Sequence, residues 1–120
     1  MAKRETIQRV ATPTAILVGV AEPLATVCAD TLAAGGLKVL RVGHVAAACE
    51  RLPVVMPQLV VASATLNAAA AEELADRCVA VGADVFTVAA DAAADAEKLR
   101  GRLKDAANMA LIRSLRRTGA

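Results

Sequence analysis

The sequence is almost devoid of aromatic side chains: Phe86 is the only one, and tryptophan and tyrosine are absent. Aromatic rings bury the most area per residue, so a core without them must be built from alanine, valine and leucine. Hydrophobic residues still make up 57% of the 120 residues, which excludes a disordered polar chain. We therefore expect one small domain whose elements pack closely together.

Cysteine, net charge and long apolar runs are also scarce. Cys28, Cys49 and Cys78 are odd in number and form no CxxC, so buried structural thiols are expected rather than disulfides or a zinc site. The formal net charge of +2 is too small to indicate a nucleic-acid or membrane partner. No apolar run approaches the roughly 20 residues that cross a bilayer, and no signal peptide is evident at the start, so the expected location is cytoplasmic.

Neither the glycine-rich segments nor the single histidine indicates a cofactor or metal site. The chain has neither a GxGxxG after its first strand nor a P-loop, and Gly35-Gly36 is better explained as a turn that ends a helix. His44 is the single histidine, without the partners of a triad or a metal site, and is expected at a helix start. We expect no cofactor and no metal.

Apolar runs and helical patterns alternate regularly along the chain. Residues 1–13 are interpreted as a leader, 14–117 as one domain and 118–120 as a tail. Short branched runs predict strands at 14–20, 37–42, 59–62 and 84–88. Helices are predicted from Glu22-Pro23 to Gly35, over 45–52 with Pro53 and Pro57 bracketing the exit loop, and over 68–81.

This alternation predicts an α/β fold, a doubly wound parallel sheet of four to five strands in the order 2-1-3-4. Lys38 and Arg41 indicate that the second strand lies at an edge. After the fourth strand, Asp91 is expected to cap a C-terminal helix that runs to about Arg117. In the alternative, 109–112 form a short fifth strand.

Three segments resemble the receiver domain of bacterial response regulators, whose fold is CheY-like or flavodoxin-like. They are Ile16-Leu17-Val18 followed by Glu22-Pro23-Leu24, the turn Gly35-Gly36-Leu37-Lys38-Val39, and Pro57-Gln58-Leu59-Val60-Val61. The resemblance covers residues 15 to about 66, and the second half is too short for all the remaining elements of a receiver.

The resemblance implies a degenerate phosphorylation site. The acidic pair that holds magnesium in receivers falls on Val20 and Ala21, with Glu22 as a lone acid beside them. The phosphoacceptor position falls on Ser63 and the Thr or Ser position on Ala89, and no lysine occurs between Ala64 and Glu97. Ser63 is expected to act as a hydroxyl that caps the following helix.

We therefore expect a non-enzymatic, phosphorylation-independent protein-interaction module that binds other signalling proteins. One alternative is a ligand-binding or enzymatic domain that uses the crevice at the carboxyl ends of the strands. Another is a DNA-binding adaptor acting through Arg113, Arg116 and Arg117, although positive charge at a helix end is also favourable to the helix dipole, so nucleic acid is not the expected partner.

A homodimer is also expected, because the shortened second half leaves strand four or its covering helix without the usual neighbour. The predicted interaction surface is one apolar stripe of the C-terminal helix, formed by Leu99, Leu103, Ala106, Ala110, Leu111 and Leu115. In the alternative, this helix covers its own sheet and the chain is a monomer.

Overall fold

A computed structural model describes residues 12–119. Four strands alternate with helices, and a short 3-10 turn over Ala92–Asp95 precedes the last helix. The strands are β1 (Thr14–Val18), β2 (Lys38–Val42), β3 (Leu59–Ser63) and β4 (Asp84–Val88), and the helices are α1 (Leu24–Ala34), α2 (Val45–Val55), α3 (Ala68–Val81) and α4 (Ala96–Gly119).

All pairings in the sheet are parallel, and the strand order is β2-β1-β3-β4. The predicted fold class and strand order are therefore confirmed. β2 lies at an edge, as its exposed Lys38 and Arg41 predicted. β4 forms the opposite edge.

Helices cover both faces of the sheet, which is why β1 and β3 are apolar at nearly every position. On β1, Ala15 and Leu17 face the core beneath α1 and α4, whereas Ile16 and Val18 face the core beneath α2 and α3. Successive side chains point to opposite faces of the sheet because the strand period is two residues. The sheet therefore separates two cores of small and branched side chains.

The helix ends show why some predicted boundaries were wrong. α2 continues through Pro53 to Val55, because a proline near a helix end removes just one helical hydrogen bond. The helix then ends at Met56, which adopts the left-handed conformation. Asp91 makes no capping hydrogen bond; the carboxylate of Asp95 accepts from the Lys98 N–H at 3.0 Å instead. His44 and Asn67 cap α2 and α3.

α4 is one continuous helix, so the alternative of a fifth strand over 109–112 is wrong. It extends to Gly119, two residues into the predicted tail. The predicted leader lies outside the described residues except for Thr12 and Pro13. Among residues 12–119, no helix is long and apolar enough to cross a membrane.

The predicted interaction stripe on α4 requires correction. Leu99, Leu103 and Ala110 are buried in the core that α1, α4 and the sheet share, with Leu103 fully inaccessible. Ala106 and Leu111 are half-buried against that core. Leu115 alone of the six is well exposed, at 69%. The stripe is apolar because it covers this chain's own sheet, so it is not a free surface.

Burial of Leu103 leads to a stability prediction. Leu103→Ala removes a fully enclosed side chain and should lower the free energy of unfolding by about 2–5 kcal/mol, the usual range for such a cavity. Leu115→Ala, on the exposed part of the same helix, should change it by less than about 0.5 kcal/mol. Urea denaturation followed by circular dichroism measures both, and equal effects would contradict this packing.

Candidate functional site

The carboxyl ends of the four strands meet at one edge of the sheet, where open α/β folds bind their ligands. The chain switches direction between β1 and β3, which makes that pair the natural place for a crevice. Val20 follows β1, Ser63 ends β3 and Ala89 follows β4. The topology thus brings the predicted site residues to the same edge.

An apolar side chain lies close to the backbone just after β1. A Cβ at Gly19 would lie 3.3 Å from a Leu66 methyl and 3.6 Å from the Gly43 carbonyl oxygen, so backbone and side chain approach closely here. Leu66 is half-buried and packs on the core beneath α2 and α3. Gly19 adopts a left-handed φ of 67°, which also ends β1 two residues earlier than predicted.

The positions that correspond to the acidic pair offer no side-chain ligand. Val20 is half-buried and packs against the core beneath α1 and α4, while Ala21 is exposed. Ala89, at the end of β4, is exposed as well. A hard cation such as Mg²⁺ takes oxygen ligands, and these three side chains contain none.

Glu22 is the one acid at the start of α1, and both of its carboxylate oxygens already accept hydrogen bonds. Oε1 accepts from the Thr26 hydroxyl at 2.7 Å and from the Thr26 N–H at 3.1 Å. Oε2 accepts from the Arg41 guanidinium at 2.8 Å. The Thr26 hydroxyl, followed by Arg41, holds the pKa of Glu22 below its ordinary value. Its carboxylate therefore satisfies the first turn of α1 and ties it to β2.

Ser63 has a local structural role that differs from the predicted one. Its Oγ accepts from the Thr65 N–H at 3.1 Å and lies 2.7 Å from the Thr65 hydroxyl, so it stabilises the turn after β3. The helix cap is Asn67, whose Oδ1 accepts from the Ala70 N–H at 2.8 Å. The expectation that Ser63 caps the helix is therefore wrong, although the hydroxyl does bind backbone.

The cysteines and the remaining motif residues are structural. Cys28, Cys49 and Cys78 are free and buried, as expected, and burial raises the pKa of all three thiols, that of Cys78 to about 11. His44 is an exposed cap whose Nδ1 accepts from the Ala47 N–H at 3.3 Å. Within residues 12–119, no cluster of three histidine, cysteine or acidic side chains is arranged to hold a metal.

One feature that the sequence did not indicate is a groove of about 440 Å³ between β4 and the beginning of α4. Phe86 lines it, and the Arg102 guanidinium lies over the Phe86 ring at 5.8 Å from the centroid. Asp91, Asp95 and Lys98 also line it. The sequence feature that could have pointed to the groove is the one aromatic residue, Phe86, on a strand that no fifth strand follows.

Comparisons with family models, curated proteins and solved structures give no significant match.

The Gly19 contact predicts a costly substitution. Gly19→Ala should lower the free energy of unfolding by about 1–2 kcal/mol from the left-handed backbone alone, with a further cost as Leu66 shifts. Gly43→Ala is the matched control, because nothing lies within 4 Å of its added Cβ and its φ is not positive. Chemical denaturation of both variants tests this prediction. A Gly19→Ala protein as stable as the control would contradict the left-handed backbone at Gly19 and the close approach of Leu66.

Phosphate chemistry should be absent at Ser63. Because Val20 and Ala21 supply no carboxylate, beryllofluoride with Mg²⁺ should leave the amide spectrum around Ser63 unchanged, and acetyl phosphate should not phosphorylate the chain. Ser63→Ala should cost about 1 kcal/mol or less, the worth of one local hydrogen bond. A magnesium-dependent shift of the Ser63 and Thr65 amides would refute this prediction.

Proposed function

We propose that this chain is a cytoplasmic, non-enzymatic protein-interaction module of a bacterial signalling or regulatory system, built on a degenerate receiver scaffold. It binds its partners through a surface and does so without phosphorylation. The side chains at the strand ends carry this proposal: Val20 and Ala21 supply no oxygen ligand, and Leu66 lies close to Gly19 at the switch point, where a phosphate-accepting site would have to be charged.

The charges around the crevice support the same function. Glu22 is the acid nearest to Val20 and Ala21 along the chain, and its hydrogen bonds to Thr26 and Arg41 occupy both oxygens. A cation would have to break these bonds and would gain one carboxylate. Glu22 thus contributes to the rigidity of the scaffold by tying α1 to β2.

The exposed surface offers places where a partner can bind. Met109, Ile112 and Leu115 follow one another at intervals of three along α4 and are 50%, 45% and 69% exposed. Side chains at this spacing are neighbours on a helix surface. Exposed apolar side chains that adjoin one another are typical of protein interaction sites.

The two alternative functions have less support. The groove beside β4 has room for a small molecule, but its charged side chains carry both signs and lie on the segment before α4 and on the first turns of α4. For DNA binding, Arg113 donates to Asp84 at 3.0 Å and Arg102 lies over Phe86, so both already have partners within the chain. The side chains of Arg116 and Arg117, the other two arginines of that hypothesis, lie outside the described residues.

The proposal predicts that partner binding is independent of Ser63. A partner is first isolated with the tagged full chain from its own bacterium, and its dissociation constant is then measured with both proteins purified. Ser63→Ala and treatment with acetyl phosphate should leave that constant unchanged, because the Ser63 hydroxyl bonds within the turn after β3 and the side chains of Val20 and Ala21 supply no ligand for Mg²⁺. Leu115→Asp should raise it about tenfold or more if the exposed end of α4 is the contact.

Two results would contradict the proposed function. Binding that appears only after treatment with the phosphate donor would restore a phosphorylation role. Binding lost in a fully folded Ser63→Ala variant would favour the crevice alternative. For DNA, the deciding result is sequence-selective binding at physiological salt that disappears in Arg113→Ala, since true phosphate contacts make affinity fall steeply with salt.

A further inference from the structure

The outer edge of β4 presents unpaired backbone groups. β4 pairs with β3 on one side, and no strand within residues 12–119 lies on the other. The Asp84 N–H donates to the Gln58 carbonyl and the Ala64 N–H to the Val88 carbonyl, which fixes the phase of the β3–β4 ladder. Backbone groups of Asp84, Phe86 and Val88 therefore point toward β3, and those of Val85 and Thr87 point outward.

An open edge with free donors and acceptors is a template for another strand, and proteins usually protect it with charge, proline or a bulge. β4 has no proline, and its outward-pointing residues, Val85 and Thr87, are uncharged. Val85 is also 44% exposed, although it lies on a strand. The two residues whose backbone groups face outward therefore carry neither charge nor proline, and the charged Asp84 at the start of β4 is paired with Arg113.

We propose that this edge binds the same edge of a second copy, so that two β4 strands pair antiparallel about a two-fold axis at Phe86 and form one eight-stranded sheet. This is an inference about assembly and does not depend on the proposed partner binding, so either can fail alone. It replaces the α4 stripe, which is buried, as the dimer surface.

The outward groups match one another under this symmetry. With Phe86 on the axis, Val85 lies opposite Thr87 of the second copy, and Thr87 lies opposite its Val85. In an antiparallel pair, two opposite residues whose N–H and C=O groups point toward each other exchange two hydrogen bonds. The two Val85–Thr87 pairs therefore form four hydrogen bonds between the copies. No other residue of β4 has to change its pairing with β3, because Asp84, Phe86 and Val88 keep theirs.

Phe86 gains a partner in this arrangement. It would lie directly opposite Phe86 of the second copy at a position without interchain hydrogen bonds, where side chains come closest. Both rings would lie on the α4 face, beside the groove that Phe86 already lines. Aromatic pairs of this kind stabilise cross-strand contacts, and the chain's one aromatic residue stands at that position.

Charged side chains of both signs lie beside the β4 edge. Arg102 and Arg113 share one side of α4, as their contacts with Phe86 and Asp84 show. Asp95 and Lys98 line the groove at one end of β4, and Arg113 pairs with Asp84 at the other end. Two copies in antiparallel orientation bring the Asp84–Arg113 pair of one near Asp95 and Lys98 of its mate, so that both signs of charge meet there. The two Arg102 side chains lie near the axis, each over its own Phe86 ring, and the small net charge of +2 opposes association little.

The first test measures the mass of the full chain by light scattering at tens of micromolar. We expect twice the mass of one chain. Thr87→Pro removes an outward N–H without touching the β3 ladder, and Val85→Lys adds the charge that open edges usually carry. Each should raise the dimer dissociation constant about tenfold or more, since every interface bond is lost twice by symmetry. Val79→Lys, a matched change at an exposed valine of α3, should leave it unchanged.

The second test traps the geometry. Phe86→Cys places two thiols opposite each other on the axis, so mild oxidation should give a covalent dimer, whereas Val79→Cys should not. The native thiols are buried with raised pKa values and should not react. A monomeric mass for the unaltered chain overturns the proposal. So does a dimer that both Thr87→Pro and Val85→Lys leave intact while circular dichroism shows them folded.

Discussion

The structure depends on covering both faces of a four-stranded parallel sheet with helices. Because β1 and β3 are buried on both sides, nearly every residue on them is apolar, and the cores hold small and branched side chains with Phe86 at the margin. With few large side chains to fill space, every helix must lie close to the sheet. α4 therefore turns Leu99, Leu103 and Ala110 inward, and the large apolar side chains that it leaves exposed are Met109, Ile112 and Leu115.

That close packing also decides what the strand ends can do. Leu66 and Gly19 bring the loops after β3 and β1 together, and the acid in that region, Glu22, satisfies the start of α1 and an ion pair to β2. Val20 and Ala21 carry no oxygen ligand in their side chains, and Leu66 packs on the core beneath α2 and α3, so the loops at the strand ends add apolar packing to the two cores.

Much of this fold could be predicted because the decisive signals are local. β4 and α3 have the predicted bounds, since the Asn67 cap and the left-handed Gly82 mark the helix ends within a few residues. The predicted end of α2 before Pro53 was wrong because the effect of a proline depends on how much helix follows it. The predicted cap at Asp91 was wrong because the carboxylate of Asp95 accepts the hydrogen bond at the start of α4. The inward face of α4 was identified as apolar, but sequence cannot tell a core stripe from an interface stripe. The groove at Phe86 depends on which strand lacks a neighbour, a tertiary property.

In the proposed dimer, the sheet edge at β4 is completed by a second copy. Amide hydrogen exchange of Val85, Phe86 and Thr87 across a range of protein concentrations tests it directly. Phe86 donates toward β3 and should be protected at all concentrations, whereas protection of Val85 and Thr87 should rise as the dimer forms. If Val85 and Thr87 exchange at rates that do not depend on concentration, the edge does not pair with a second copy.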